Sequence, residues 1–163
     1  MGKMKVDRER WERAQAWELD FWTSGQTVGW KRRLLRKIGF EFLLKPFELD
    51  DWNYWWRDQF DGYHFLPDSI GDFIELGCGP FTNARVILDG REARRVVLSD
   101  PLALEYAGFD YGWLAEQYRR RSVLLDDHPI ENCPFRDESF DVVVMNNVLD
   151  HVIDAEACLH QAA

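Results

Sequence analysis

Long apolar runs are missing from this 163-residue chain: no stretch of about 18 consecutive apolar residues offers a membrane-spanning helix. The opening residues Met1, Gly2, Lys3, Met4, Lys5 and Val6 carry no signal-peptide core, and position 6 lacks the Ser or Thr that myristoylation wants. A cytoplasmic chain with no integral membrane segment is expected. Cysteine is scarce as well. Cys78, Cys133 and Cys158 are odd in number and far apart, matching neither a disulfide framework nor paired zinc ligands, so reduced and mostly buried thiols are expected. His64, His128, His151 and His160 make no HExxH-type set, and no metal is expected. A basic excess is lacking too. Residues 1–64 hold 12 Lys and Arg against 11 Asp and Glu, whereas residues 65–163 hold 8 against 18. The second part would repel a phosphate backbone, which argues against a nucleic-acid partner.

What is present is apolar and aromatic residue enough, 46% and 15%, for one sizeable core. Seven of the eight tryptophans precede residue 57. Helical spacing relates Trp11, Ala14, Trp17 and Phe21, then Leu34, Ile38 and Phe42, then Trp52, Trp56, Phe60 and Tyr63. Residues 1–66 are therefore expected to form a Trp-rich section of three helices. Its rings serve as buried helix faces, with Trp52 to Tyr63 the candidate lid over a ligand. Lys31, Arg32, Arg33, Arg36 and Lys37 fall on the second helix, where a solvated face competes with contact to an anion or a membrane surface.

From residue 67 the pattern changes to alternating strands and helices. Strands are expected at 70–76, 95–99, 122–125 and 141–146, with helices at about 82–90, about 102–118 and from about 148. Such an order implies parallel βαβ units, whose ligands lie beyond the carboxyl ends of the strands. The first strand runs into Gly77, Cys78 and Gly79, and 21 residues after Gly79 the second ends at Asp100. Glycines let backbone approach a ligand, and a carboxylate at that place can accept from two ribose hydroxyls. A dinucleotide fingerprint would put a third glycine at position 82, which is Thr82.

A third signature follows: Ile130, Glu131, Asn132, Cys133, Pro134 and Phe135, then Glu138, Ser139, Phe140 and Asp141. With Glu75, Gly77, Gly79 and Asp100, this resembles the class I S-adenosylmethionine-dependent methyltransferases over roughly residues 70–160. Asp100, Pro101, Leu102, Ala103 and Tyr106, together with Asn147, Leu149, Asp150 and His151, further resemble a bacterial subset carrying DPLA…Y and N-x-LDH motifs. The resemblance implies a Rossmann-like fold and S-adenosyl-L-methionine as cofactor. It implies that Glu75, Gly77 and Gly79 hold the methionine end, that Asp100 takes the ribose, that Ile130 and Glu131 border the adenine, and that Asn146 meets the cofactor ammonium. The chain departs from the pattern at Cys133, where Leu is usual, and at Pro129, where an Asp is often found while Asp126 and Asp127 stand upstream.

A small-molecule or glycan acceptor is expected. His151 is a candidate base for an acceptor hydroxyl, against a helix-cap or packing role. Two other readings stand beside methyl transfer: a NAD-dependent oxidoreductase, which Thr82 disfavours, and a non-catalytic interaction module that keeps the fold. Four strands of a seven-stranded sheet are legible before residue 163. The expectation is a C-terminally incomplete domain, residues 67–163, inactive as it stands and prone to self-associate through the open edge of the last strand.

Overall fold

The computed structural model describes residues 5–26, 38–39, 63–109 and 112–163. The second and third expected helices, the basic run at 31–37 and most of the proposed lid lie outside the described residues.

Helix α1 (Arg8–Gln26) starts where Asp7 accepts from Arg10 N at 3.1 Å, an N-cap in an acidic first turn that also holds Glu9. Ion pairs Arg8–Glu12 and Arg13–Glu9, each four residues apart, decorate its exposed side. Trp11 and Trp22 turn inward, while Trp17 and Phe21 stack on each other at 5.4 Å and stay 68% and 50% exposed. The apolar stripe expected at 11, 14, 17 and 21 is thus not the buried one. The inward face is Trp11, Gln15, Glu18 and Trp22, because this helix covers a cleft and presents polar groups to it.

Strands β1 (Ser69–Leu76), β2 (Glu92–Ser99), β3 (Leu124–Asp126) and β4 (Val142–Met145) form one parallel sheet in the order β3-β2-β1-β4. Alternation along β1 and β2 sorts the core between two faces. Phe73, Val96 and Leu98 pack with Tyr106 and Leu114 on one side. On the other, Ile74, Leu76 and Val97 meet Val148, Val152 and Cys158. A parallel sheet covered on both faces is the doubly wound arrangement expected of a Rossmann-like methyltransferase fold. Strand β2 begins at Glu92, earlier than expected, because its half-exposed first residues still pair with β1 from Ser69 onward. Among the described residues β4 is an outer strand, with Val143 39% exposed.

The helices differ more from expectation than the strands. Helix α2 is only Ala84–Ile87, and the long helix expected at 102–118 is two, α3 (Ala103–Ala107) and α4 (Trp113–Arg119), interrupted at Gly108 and Gly112. Helix α5 (Ala155–Ala162) begins later than 148, capped by Asp154, which accepts from Ala157 N at 3.3 Å. Residues 147–153 instead form turns, opened by Asn147 at φ +56°. The amino-terminal end is tied to that region: Val6 N donates to Ile153 O at 2.9 Å, and Lys5 pairs with Asp154 at 2.5 Å. Cys78 and Cys158 are buried and Cys133 is half-buried, all three as free thiols.

Candidate active site

The turn after β1 is built by a buried carboxylate. Glu75, 1% exposed, points beneath the loop and accepts from the Thr82 hydroxyl, from Asn83 N at 3.0 Å, from Asn83 Nδ2 at 2.9 Å and from Ala84 N at 2.9 Å. These donors sit at the start of α2, so Glu75 anchors the helix to the strand. Burial raises the Glu75 pKa above the ordinary carboxylate value, while its hydrogen bonds pull the other way. The carboxylate expected to hold the methionine end therefore lies under the loop and does not line the cleft.

Above it, Gly77 N and Cys78 N both donate to Ser99 O, at 2.7 and 3.0 Å, which pins the loop to the end of β2. Gly77 has φ +70° and Gly79 φ +56°, the left-handed region. Their surroundings differ. A Cβ on Gly77 would lie 2.6 Å from a Val148 methyl, whereas one on Gly79 meets nothing within 4 Å. Gly77→Ala should therefore lose about 2–4 kcal/mol of stability, strained backbone and overpacking together, and Gly79→Ala only about 1–2 kcal/mol. Urea unfolding of the two variants checks this; equal losses would contradict the contrast.

Asp100 closes the opposite side. It is 9% exposed, accepting from Gly79 N at 3.0 Å through Oδ2 and from Leu102 N at 2.9 Å through Oδ1. Each oxygen keeps a further lone pair for a ligand hydroxyl. Burial, with smaller contributions from the Glu18 and Glu75 charges, pushes its pKa up to about 6 against the lowering by its two backbone donors. Burial likewise holds the neighbouring Cys78 thiol well above its usual range, aided by Asp100 and Glu75, so it stays protonated.

At the end of β3, Asp126 is buried and engaged at both oxygens, by the Ser99 hydroxyl at 2.8 Å and by His128 Nδ1 at 2.7 Å. The Asp126 hydrogen bond, more than its charge, raises the His128 pKa. Asp126, Asp127 and His128 bring three ligand-type atoms within 4.8 Å, but Asp126 is already committed to these partners. Pro129 leads into a 3-10 turn at Ile130–Asn132 that places Ile130, 3% exposed, against the cleft. Glu131 also lines the cleft, while its Oε1 accepts from Ile153 N at 2.7 Å and Asp154 N at 2.9 Å. It braces the segment before α5.

Past β4, Asn146 and His151 reach the same cleft. His151 does not cap a helix. Its side chain is 57% exposed with Nε2 3.4 Å from Asp150 Oδ2, and its backbone carbonyl accepts from Trp11 Nε1 at 2.9 Å. The structure thus brings Gly77, Gly79, Asp100, Ile130, Glu131, Asn146 and His151 around one cleft of about 570 Å³ and sets Glu75 outside it.

The fourth wall was not foreseen from the sequence. It is α1, whose Trp11, Gln15, Glu18 and Trp22 line the cleft. Trp22 meets Phe81 of the glycine loop edge to face at 5.1 Å, and Tyr106 OH donates to Glu18 at 3.1 Å. The only available signal was the interval of four, three and four residues between these positions, which polar Gln15 and Glu18 hide from a search for apolar stripes.

A parallel sheet with a glycine turn after its central strand and a buried carboxylate ending the next defines a nucleotide-binding α/β site. The methyltransferase-domain family matches over residues 74–163, and the chain belongs to the class I S-adenosylmethionine-dependent methyltransferases. Members of this family use S-adenosylmethionine as methyl donor. No curated protein sequence matches the chain.

Proposed function

We propose that the chain binds S-adenosylmethionine in this cleft and methylates a small-molecule or glycan acceptor at the mouth near His151. The observation that carries the reading is the convergence of the Gly77 and Gly79 turn, Asp100 and Asn146 at the carboxyl ends of neighbouring strands. The residues suit that cofactor. Gly79 leaves open space where a side chain would stand, Asp100 has acceptor capacity for ribose hydroxyls, and Ile130 offers an apolar surface to adenine. Asn146 would meet the ammonium, as the family pattern implies. Among the described lining residues Glu18, Asp100 and Glu131 are acidic and none is Lys or Arg, a setting that suits a sulfonium and opposes the diphosphate of NAD.

When bound, S-adenosylmethionine supplies an electrophilic methyl carbon, so an already nucleophilic acceptor needs alignment and a dry site more than acid-base chemistry. The chain's part is then largely geometric. Trp11, Trp22 and Phe81 exclude water from the cleft, and the glycine turn fixes the cofactor against the strand ends. For a hydroxyl acceptor, His151 takes the proton at the mouth of the cleft, its Nε2 standing 3.4 Å from Asp150 Oδ2.

Transfer of a tritiated methyl group to a panel of hydroxylated small molecules and glycans tests the proposal. His151→Gln should lower transfer to a hydroxyl acceptor by about 100-fold or more, with cofactor affinity nearly unchanged. An unaltered rate would leave His151 only its contact with Trp11. Tight binding of the cofactor with no transfer to any acceptor would favour the non-catalytic interaction module.

A further inference from the structure

We propose that Glu18 of α1 is a cofactor-selecting residue: together with Asp100 it forms a carboxylate pair on the cleft wall that favours the positively charged methyl donor over its neutral demethylated product. The proposal rests on the reading of this cleft as the S-adenosylmethionine site.

Glu18 is held in place and has capacity to spare. Its Oε1 accepts from Tyr106 OH at 3.1 Å and from Trp22 Nε1 at 3.4 Å, whereas Oε2 accepts from no described residue. The acidic groups elsewhere on the first turns of α1 behave differently, for Glu9 and Glu12 are paired with arginines on the outer face. Glu18 has no ion pair among the described residues, and neither Lys nor Arg is among the described residues that line the cleft. The other acidic residues lining the cleft, Asp100 and Glu131, are of its own sign, and the Glu18 charge contributes to the raised pKa of Asp100. Two carboxylates facing one part-dry cleft repel each other, and a cation entering between aromatic walls relieves that repulsion. S-adenosylmethionine carries such a charge on sulfur. S-adenosylhomocysteine, the same molecule without the methyl group, does not. A site charged in this way would bind the donor and weaken its hold on the product once the sulfonium charge is gone.

The test uses the full chain, titrated with three probes and followed by calorimetry or by tryptophan fluorescence, to which Trp11 and Trp22 of the cleft wall contribute. The probes are S-adenosylmethionine, S-adenosylhomocysteine, and sinefungin, in which a protonated amine stands in place of the methylsulfonium. Glu18→Gln keeps an acceptor for Tyr106 and Trp22 and removes the charge. It should raise Kd about tenfold for S-adenosylmethionine and sinefungin and by less than about threefold for S-adenosylhomocysteine. An equal loss for all three probes, or no loss, overturns the proposal. A second measurement needs no variant: raising salt from about 0.1 M to about 1 M, which shortens the screening length from about 10 Å to about 3 Å, should narrow the wild-type preference for the two cationic probes. A preference unmoved by salt counts against a charge-based origin. A wild-type chain that binds none of the three overturns the cofactor reading itself, and the role of Glu18 with it.

Discussion

Glu75→Ala should cost about 3 kcal/mol or more of folding stability. The carboxylate is fully buried and accepts from four donors: the Thr82 hydroxyl, both Asn83 nitrogens and Ala84 N. Its loss leaves several buried donors without partners, each costing about 1–3 kcal/mol, and relaxation of the short helix α2 recovers part of that. Marginal stability of ~5–15 kcal/mol makes such a loss large. Thermal melting checks it, and a melting temperature lowered by less than about 3 °C would show that Glu75 does not hold the turn. Because the raised pKa favours the protonated acid, Glu75 contributes its stability most fully below the unfolded value near 4.5 and loses part of it as pH rises through the higher folded value.

The second large effect falls on binding. Asp100→Ala should weaken S-adenosylhomocysteine by about 1–3 kcal/mol, roughly 5-fold to 150-fold, because ribose hydroxyls lose a charged acceptor. A pH dependence accompanies it. Burial pushes the Asp100 carboxyl up to about 6, and the facing charges of Glu18 from α1 and Glu75 from β1 add smaller contributions. Ribose hydroxyls donate to the ionised form, so affinity should be full above about pH 6 and fall as pH drops below it, by up to about tenfold per unit. The contribution of Asp100 to stability runs the opposite way, being greatest below its unfolded value near 3.8 and diminishing as pH rises through about 6. Affinity should lose its acid limb in Asp100→Ala. Unchanged affinity in a folded Asp100→Ala chain would reduce Asp100 to its turn contacts with Gly79 and Leu102.

Much of the site could be read before the fold was seen. The β-branched runs ending at Leu76, Ser99 and Met145 are buried parallel strands, whose composition is dictated by burial on both faces. Gly77, Gly79 and Asp100 stand at their carboxyl ends because the left-handed turn and the close approach of β2 admit little else. What could not be read depends on contacts distant in sequence. The role of Glu75 follows from Thr82, Asn83 and Ala84 folding back onto it, and no spacing rule distinguishes that from a carboxylate facing a ligand. The cleft-facing side of helix α1 is hidden in the sequence because Trp17 and Phe21 outweigh Gln15 and Glu18 on any hydrophobic scale, although the cleft takes the polar pair. Helix α5 starts late because Asn147 turns the chain and Asp154 supplies the cap, whereas the apolar residues Val148 and Val152 alone suggested an earlier start. The split at Gly108 is the kind of break that a continuous apolar pattern conceals.

The central claim is that this cleft holds S-adenosylmethionine, and one calorimetric experiment addresses it most directly. S-adenosylhomocysteine and NADH are titrated separately into the chain at pH 7.5, and the S-adenosylhomocysteine titration is repeated on Gly79→Val, in which a branched side chain would stand in the open space beside Asp100. The account predicts saturable one-to-one binding of S-adenosylhomocysteine, no heat of binding from NADH, and loss of the signal in a folded Gly79→Val chain. Binding of NADH in preference, or undiminished binding of S-adenosylhomocysteine to Gly79→Val, would contradict it.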